Sequence, residues 1–245
     1  MKLLQILFII LSLQTPITRT DVIKWDRIQL PSTPRDTSDT NLGLAGVFAG
    51  TINNELVIAG GANFPDGIAP KGGKKHWWGD VYIYNDTSGW RYYQDILPNK
   101  SAYGCTIELP EGLLCIGGSQ ETQYNRDVYV LSIEKDGSPK IISWDPLPIP
   151  MSNMVGGKVG NKVFLAGGIT SMQDNESNNT FLCLDLEAKE RGWQKLEPWP
   201  GEGRAFAVAT VQSDGLDNCF YMFGGRKIKG NEIIRSFTEG WKYNP

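Results

Sequence analysis

A double glycine closes a short apolar run four times in this chain: Gly60-Gly61, Gly117-Gly118, Gly167-Gly168 and Gly224-Gly225. The intervals are 57, 50 and 57 residues (60 to 117, 117 to 167, 167 to 224). The runs are Leu56-Val57-Ile58-Ala59, Leu113-Leu114-Cys115-Ile116, Val163-Phe164-Leu165-Ala166 and Phe220-Tyr221-Met222-Phe223. Each is short, apolar and bounded by glycine, which reads as a buried strand rather than a helix. A unit recurring at a fixed spacing of this length restricts the chain to a repeat architecture.

The residues after each pair repeat too. Asp80-Val81-Tyr82-Ile83-Tyr84 and Trp90 follow the first. Asp127-Val128-Tyr129-Val130-Leu131 and Trp144 follow the second, and Phe181-Leu182-Cys183-Leu184 and Trp193 follow the third. After the fourth comes Trp241-Lys242-Tyr243-Asn244-Pro245. Each unit reads as an inner strand, a strand ending in Gly-Gly, a tyrosine-bearing third strand and a tryptophan-bearing outer strand. This is the kelch pattern of an all-β propeller. Glycine permits the tight turn after the second strand. The aromatics fill the wedge between blades, where large flat side chains bury much area.

The blades are placed at 44–93, 101–146, 152–196 and a partial 203–245. Trp25-Asp26-Arg27-Ile28 reads as a lone outer strand. Two arrangements fit: this strand closes a four-bladed ring, or the ring is open and further blades belong beyond Pro245. In an open ring, bare blade faces predict self-association.

The first twenty residues carry the pattern of an export signal. Lys2 supplies the positive end, Leu3 to Leu13 the apolar stretch, and Thr15-Pro16 breaks it. The stretch is too short to cross a bilayer. The chain is therefore expected to be periplasmic or secreted without stable membrane insertion; the competing reading is an uncleaved amphipathic anchor. Residues 21–245 then form the propeller. A formal net charge of −3 gives no ground for a nucleic-acid partner.

The cysteines are Cys105, Cys115, Cys183 and Cys219, in no metal-binding spacing. Cys105 and Cys115 fall on adjacent strands, so they either face one another or are separate buried thiols. His76 is the one histidine, which argues against a multi-histidine metal site and a copper redox propeller. No metal or organic cofactor is expected.

The longest inter-strand loop, Ala62 to Gly79, holds Asn63, Lys71, Lys74, Lys75, His76, Trp77 and Trp78. Long loops in compact domains tend to carry function. Cations suit a carboxylate and indole faces suit a sugar ring; the alternative is a solvated loop whose tryptophans cap the blade edge.

Laid out this way, the chain resembles the bacterial sialic-acid mutarotases, the N-acetylneuraminate epimerase family, and within it the cyclically permuted branch. The resemblance rests on Gly46 to Ile52 with Leu56 to Gly61, on Asp80 to Tyr84, and on Ala102-Tyr103-Gly104 with Ile116-Gly117-Gly118. These segments resemble the family's last two blades. Gly203-Arg204-Ala205, Met222 to Gly225 and Lys242 to Pro245 resemble its early blades, which is the permutation. A ring tolerates this because its first and last blades are neighbours.

The resemblance implies a six-bladed ring of which this chain supplies about four blades. It also implies interconversion of the α and β anomers of N-acetylneuraminate. The family's catalytic glutamate belongs to a blade with no counterpart here, so no catalytic residue is assigned. Arg204 matches a family arginine expected to grip the sugar carboxylate; its alternative role is pairing within the blades. Lys100 stands where relatives often carry an arginine, and can act as a point charge. Asn63 and Arg226, each just past a glycine pair, and His76 in the long loop complete the expected substrate contacts. The competing function is a non-catalytic kelch module that binds a glycan or a protein.

Overall fold

The computed structural model describes residues 25–34 and 41–245. The apolar leader and Thr20 to Lys24 lie outside the described residues. Nineteen strands and two short 3-10 turns, but no α-helix, occur among those described.

Blade one is β1 (Phe48–Ile52), β2 (Glu55–Ala59), β5 (Val81–Asn85) and β6 (Gly89–Tyr93), hydrogen-bonded in that order. Its long loop carries a small ribbon, β3 (Ala62–Asn63) with β4 (His76–Trp77), and a 3-10 turn at Ala69–Lys71. Blade two is β7 (Cys105–Leu109), β8 (Gly112–Ile116), β9 (Val128–Ile133) and β10 (Pro139–Ser143). Blade three is β11 (Val155–Val159), β12 (Lys162–Ala166), β13 (Phe181–Asp185) and β14 (Gln194–Lys195). Blade four has three strands, β15 (Val208–Ser213), β16 (Asn218–Phe223) and β19 (Gly240–Tyr243). A separate hairpin, β17 (Arg226–Lys229) with β18 (Glu232–Ser236), lies between the last two. Every pairing within a blade is antiparallel. The first strands β1, β7, β11 and β15 follow one another around the axis, β1 touching β7, β7 touching β11 and β11 touching β15. The molecule is a four-blade propeller arrangement.

The expected outer strand at Trp25–Ile28 does not form. These residues have no strand pairing, and Trp25 is 90% exposed. One tryptophan with no blade beside it gains little buried area, so nothing holds the segment to a sheet edge.

Three apolar cores join the four blades. Phe48, Val57, Val81 and Ile83 of blade one meet Leu113, Cys115, Tyr129 and Leu131 of blade two. The other face of blade two packs Cys105, Leu114, Ile116 and Val130 on Met154, Val163, Leu165 and Leu182. Blade three then packs Phe164 and Phe181 on Phe220, Met222 and Tyr243. The Phe181 and Tyr243 rings meet edge-on at 5.0 Å.

The glycine pair is the joint between blades. The second glycine donates its N–H to a carbonyl of the following blade: Gly61 to Ser101, Gly118 to Met151 and Gly168 to Arg204, each at 2.8 Å. That carbonyl leaves no room for a side chain on the first glycine. A Cβ at Gly117 would stand 2.5 Å from the Met151 oxygen, and the same clash awaits at Gly60 and Gly167. Gly224 is different. Its nearest neighbour for a Cβ is the Phe237 oxygen at 3.7 Å, with no carbonyl pressed against it.

Cys105 and Cys115 do not face one another. They belong to the cores on opposite sides of blade two, because their strand positions point to opposite faces. All four cysteines are free and buried. Burial pushes the Cys105 thiol up to about 12 and raises that of Cys115. Both are packing groups rather than reactive ones.

Candidate functional site

Strands within a blade alternate in direction. The loop after each second strand and the connection to the next blade therefore share one face of the ring. That face receives Asn63, His76, Lys100, Arg204 and Arg226.

Near the axis this face is organised by a chain of backbone hydrogen bonds. Tyr103 N–H donates to Gly46 (2.7 Å), Asn153 to Tyr103 (2.8 Å) and Phe206 to Asn153 (3.0 Å). These four residues occupy the same place in the four blades, and all have positive φ, between 55° and 66°. Tyrosine and phenylalanine rarely adopt that conformation, and such strain collects at functional sites. Gly46 is required here: a Cβ would stand 2.5 Å from the Tyr103 ring. Lys75 completes the cluster, with its Nζ 4.1 Å from the Tyr103 ring centre and 5.0 Å from that of Trp77. A cation over an aromatic face gains about 0.5–2 kcal/mol, and Lys75, Trp77 and Tyr103 are all half-buried.

Beside this cluster lies a cleft of about 590 Å³. His76, Trp77 and Lys100 line it together with Asn99, Gln120 and Glu121. The β3–β4 ribbon sets the aromatic wall. Trp77 Nε1 donates to Ser119 Oγ of blade two at 3.1 Å, which ties the loop across the blade boundary. Trp78 Nε1 donates to Asn63 Oδ1 at 2.8 Å, and His76 stacks on Trp78 at 6.0 Å. His76 Nε2 also lies 3.7 Å from Asp66 Oδ2. Lys100 is exposed at the cleft, 6.0 Å from the Trp78 ring centre. The cleft thus offers an indole, an imidazole, an ammonium and carboxylates at Glu121 and Asp95.

Three expected contacts sit elsewhere. Asn63 uses both ends of its amide, accepting from Trp78 and donating to Gly43 O at 3.0 Å. Arg226 is exposed at the start of β17, with its guanidinium carbon 5.9 Å from the Phe206 ring centre. Arg204 is sealed inside blade four. Its guanidinium donates to Gly224 O at 2.9 Å and to Glu239 Oε1 at 2.9 Å, and lies 4.1 Å from the Phe237 ring centre. In blade two the equivalent Ser101 makes the matching bond, Oγ to Gly117 O at 3.3 Å. Arg204 thus fills the place of a blade-closing serine, away from the cleft wall.

Tyr103 and the cleft amides Asn99 and Gln120 were not among the expected contacts, and Lys75 was named only as one of three loop lysines. A signal for Tyr103 was present. Gly46, Tyr103 and Asn153 each stand 14 residues before the first glycine of their pair, and Phe206 stands 18 before Gly224. The residue type gave no hint of positive φ.

The family profile of N-acetylneuraminate epimerase matches residues 12–141. The chain belongs to the N-acetylneuraminate epimerase family. An N-acetylneuraminate epimerase of Brucella suis is 32% identical over 124 residues, covering 46% of this chain and 31% of that protein. One from Vibrio cholerae is 37% identical over 82 residues, covering 34% of this chain and 18% of its own length. The matches thus span about a third or less of these relatives. The solved structure of YjhT superposes with a TM-score of 0.62 at 14% identity, covering 83% of this chain and 67% of that one. At that identity the likeness is one of fold, and it agrees with the propeller.

Proposed function

We propose that this chain is part of an exported mutarotase that interconverts the anomers of N-acetylneuraminate. The observation that carries the reading is the blade-one cleft, where Trp77 stands with His76 and Lys100 in a chain of this family. An indole face takes a pyranose ring, and the ammonium attracts its carboxylate. In this reading the blades follow the permuted order, and the chain is a truncated form that holds part of the ring.

Mutarotation removes the proton of the anomeric hydroxyl and protonates the ring oxygen. The C–O ring bond breaks to give the open-chain keto acid, which recloses on either face. The cleft supplies the imidazole of His76 and, at Lys100, an ammonium that attracts the sugar's carboxylate. No residue of this chain is assigned as the catalytic base, so slow turnover or none is expected from it alone.

The reading is tested by proton NMR on freshly released α-N-acetylneuraminate. Exchange is followed with the 21–245 protein and with the same protein extended by any downstream blades. Acceleration by the extended protein alone supports a truncated enzyme. Acceleration by the short form places the base within these residues. If the sugar acid binds but neither form accelerates exchange, the chain is a glycan-binding module instead.

A further inference from the structure

A second chamber of about 450 Å³ opens beside the first, between the top loops of blades two and three. The two share Asn99, Gln120 and Thr122 in their walls, so they lie side by side. Their chemistry differs. The first carries the imidazole, indole and ammonium. The second is walled by amides and hydroxyls: Gln120, Gln123, Asn125 and Gln173, with Thr170 and Ser171. Its two charged residues, Arg126 and Asp127, are opposite in sign, and each is engaged: Arg126 Nε donates to Leu147 O, and Asp127 accepts from Asn99 at 2.6 Å.

Amide groups offer donors and acceptors together without charge, which is what a ring of hydroxyls needs. Tyr124 and Met172 add apolar surface for the C–H face of such a ring. The volume falls in the usual range of ligand pockets, roughly 300–1,000 Å³. The chamber is also pre-organised. Asn125 is 2% exposed; it donates to Ser101 Oγ at 2.9 Å and accepts from Gln120 Nε2 at 2.6 Å. Gln120 N–H donates to Gln123 O at 2.8 Å, which fixes the loop that bears both glutamines. Groups already held in place lose less freedom when a ligand arrives.

We infer that this second chamber is a subsite for a neutral sugar ring, so that the two adjoining chambers together take a saccharide longer than one residue, with its acid end in the His76 chamber. The inference rests on the sugar-acid reading for the orientation of the ligand, which is bound and not turned over, because a glycosidically linked acid has no anomeric hydroxyl to deprotonate. It does not rest on it for the chamber's own preference.

The test uses the whole chain and three probes: N-acetylneuraminate, lactose, and lactose carrying an α-linked N-acetylneuraminate on its galactose. Binding is read by calorimetry and saturation-transfer NMR. The trisaccharide is expected to bind about tenfold more tightly than the free acid. Gln123 and Gln173 are exposed, so a Gln123→Ala, Gln173→Ala double variant keeps the fold. It should abolish that advantage while leaving affinity for the free acid unchanged. A trisaccharide no tighter than the acid, or an advantage that survives the double variant, overturns the inference and leaves the sugar-acid reading standing. Binding of lactose without the acid upholds the chamber and overturns the acid reading. Binding of none of the three overturns both.

Discussion

The Arg204 guanidinium meets the Glu239 carboxylate at 2.9 Å inside blade four, with the arginine side chain closed off from solvent. The same arginine donates to the carbonyls of Gly224 and Glu239, so one side chain ties three strand-end groups together. Arg204→Ala would leave those carbonyls without a charged donor. We expect a loss of about 1.5–3 kcal/mol in urea unfolding. Arg204→Lys should recover part of it, since an ammonium lacks the planar fork. If Arg204 instead served the sugar acid, Arg204→Ala would weaken binding and leave the unfolding midpoint unchanged.

The glycine joints give a comparison within one protein. Gly117 and Gly224 both have φ near 60°, so alanine is strained at either site by about 1–2 kcal/mol. At Gly117 the Met151 carbonyl adds an overpacking cost of about 1–3 kcal/mol, whereas Gly224 has free space. Gly117→Ala should therefore lower the melting temperature clearly more than Gly224→Ala. Equal losses would mean that the joint is conformational rather than steric.

Blade four presents Val208 at 67% and Phe223 at 48% exposure, with Tyr221 stacked beside Phe223 at 6.4 Å. In blades one to three the matching face is covered by the next blade. This chain is expected to self-associate through that face. Sedimentation velocity should show a concentration-dependent species that Val208→Lys with Phe223→Glu removes. Wild-type protein that stays monomeric at high concentration would contradict this.

Asp214 supplies a pH test. The backbone N–H of Asp217, the ammonium of Lys242 and the N–H of Leu216 hold its carboxyl below the usual carboxylate range. A depressed folded pKa stabilises the protein above the unfolded value and loses that contribution as pH falls through the folded one. Asp214→Asn should therefore melt below wild type at about pH 6, and the gap should close toward about pH 2. A gap that stays constant with pH would show that the charge contributes nothing.

The spacing of the glycine pairs was enough to determine the blade pattern. A residue forced to be glycine by a neighbouring backbone leaves a mark that survives in the sequence; Gly60, Gly117 and Gly167 are such marks, and Gly224, with its positive φ, completes the repeat. The sequence also pointed to the loop that bears His76 and Trp77, because long loops with cations and indoles are few.

The tertiary structure alone decided the rest. Arg204 and Lys100 are both basic residues just before an inner strand, and the sequence does not separate them. Packing does: Gly224, Glu239 and Phe237 close over Arg204, while Lys100 stays at the cleft. Trp25 looked like a strand residue, but no sheet edge takes it. The amide chamber draws on loops about fifty residues apart, at Gln123 and Gln173, and only blade packing brings them together. Local pattern records what the backbone requires of one residue; a binding wall depends on which blades stand side by side.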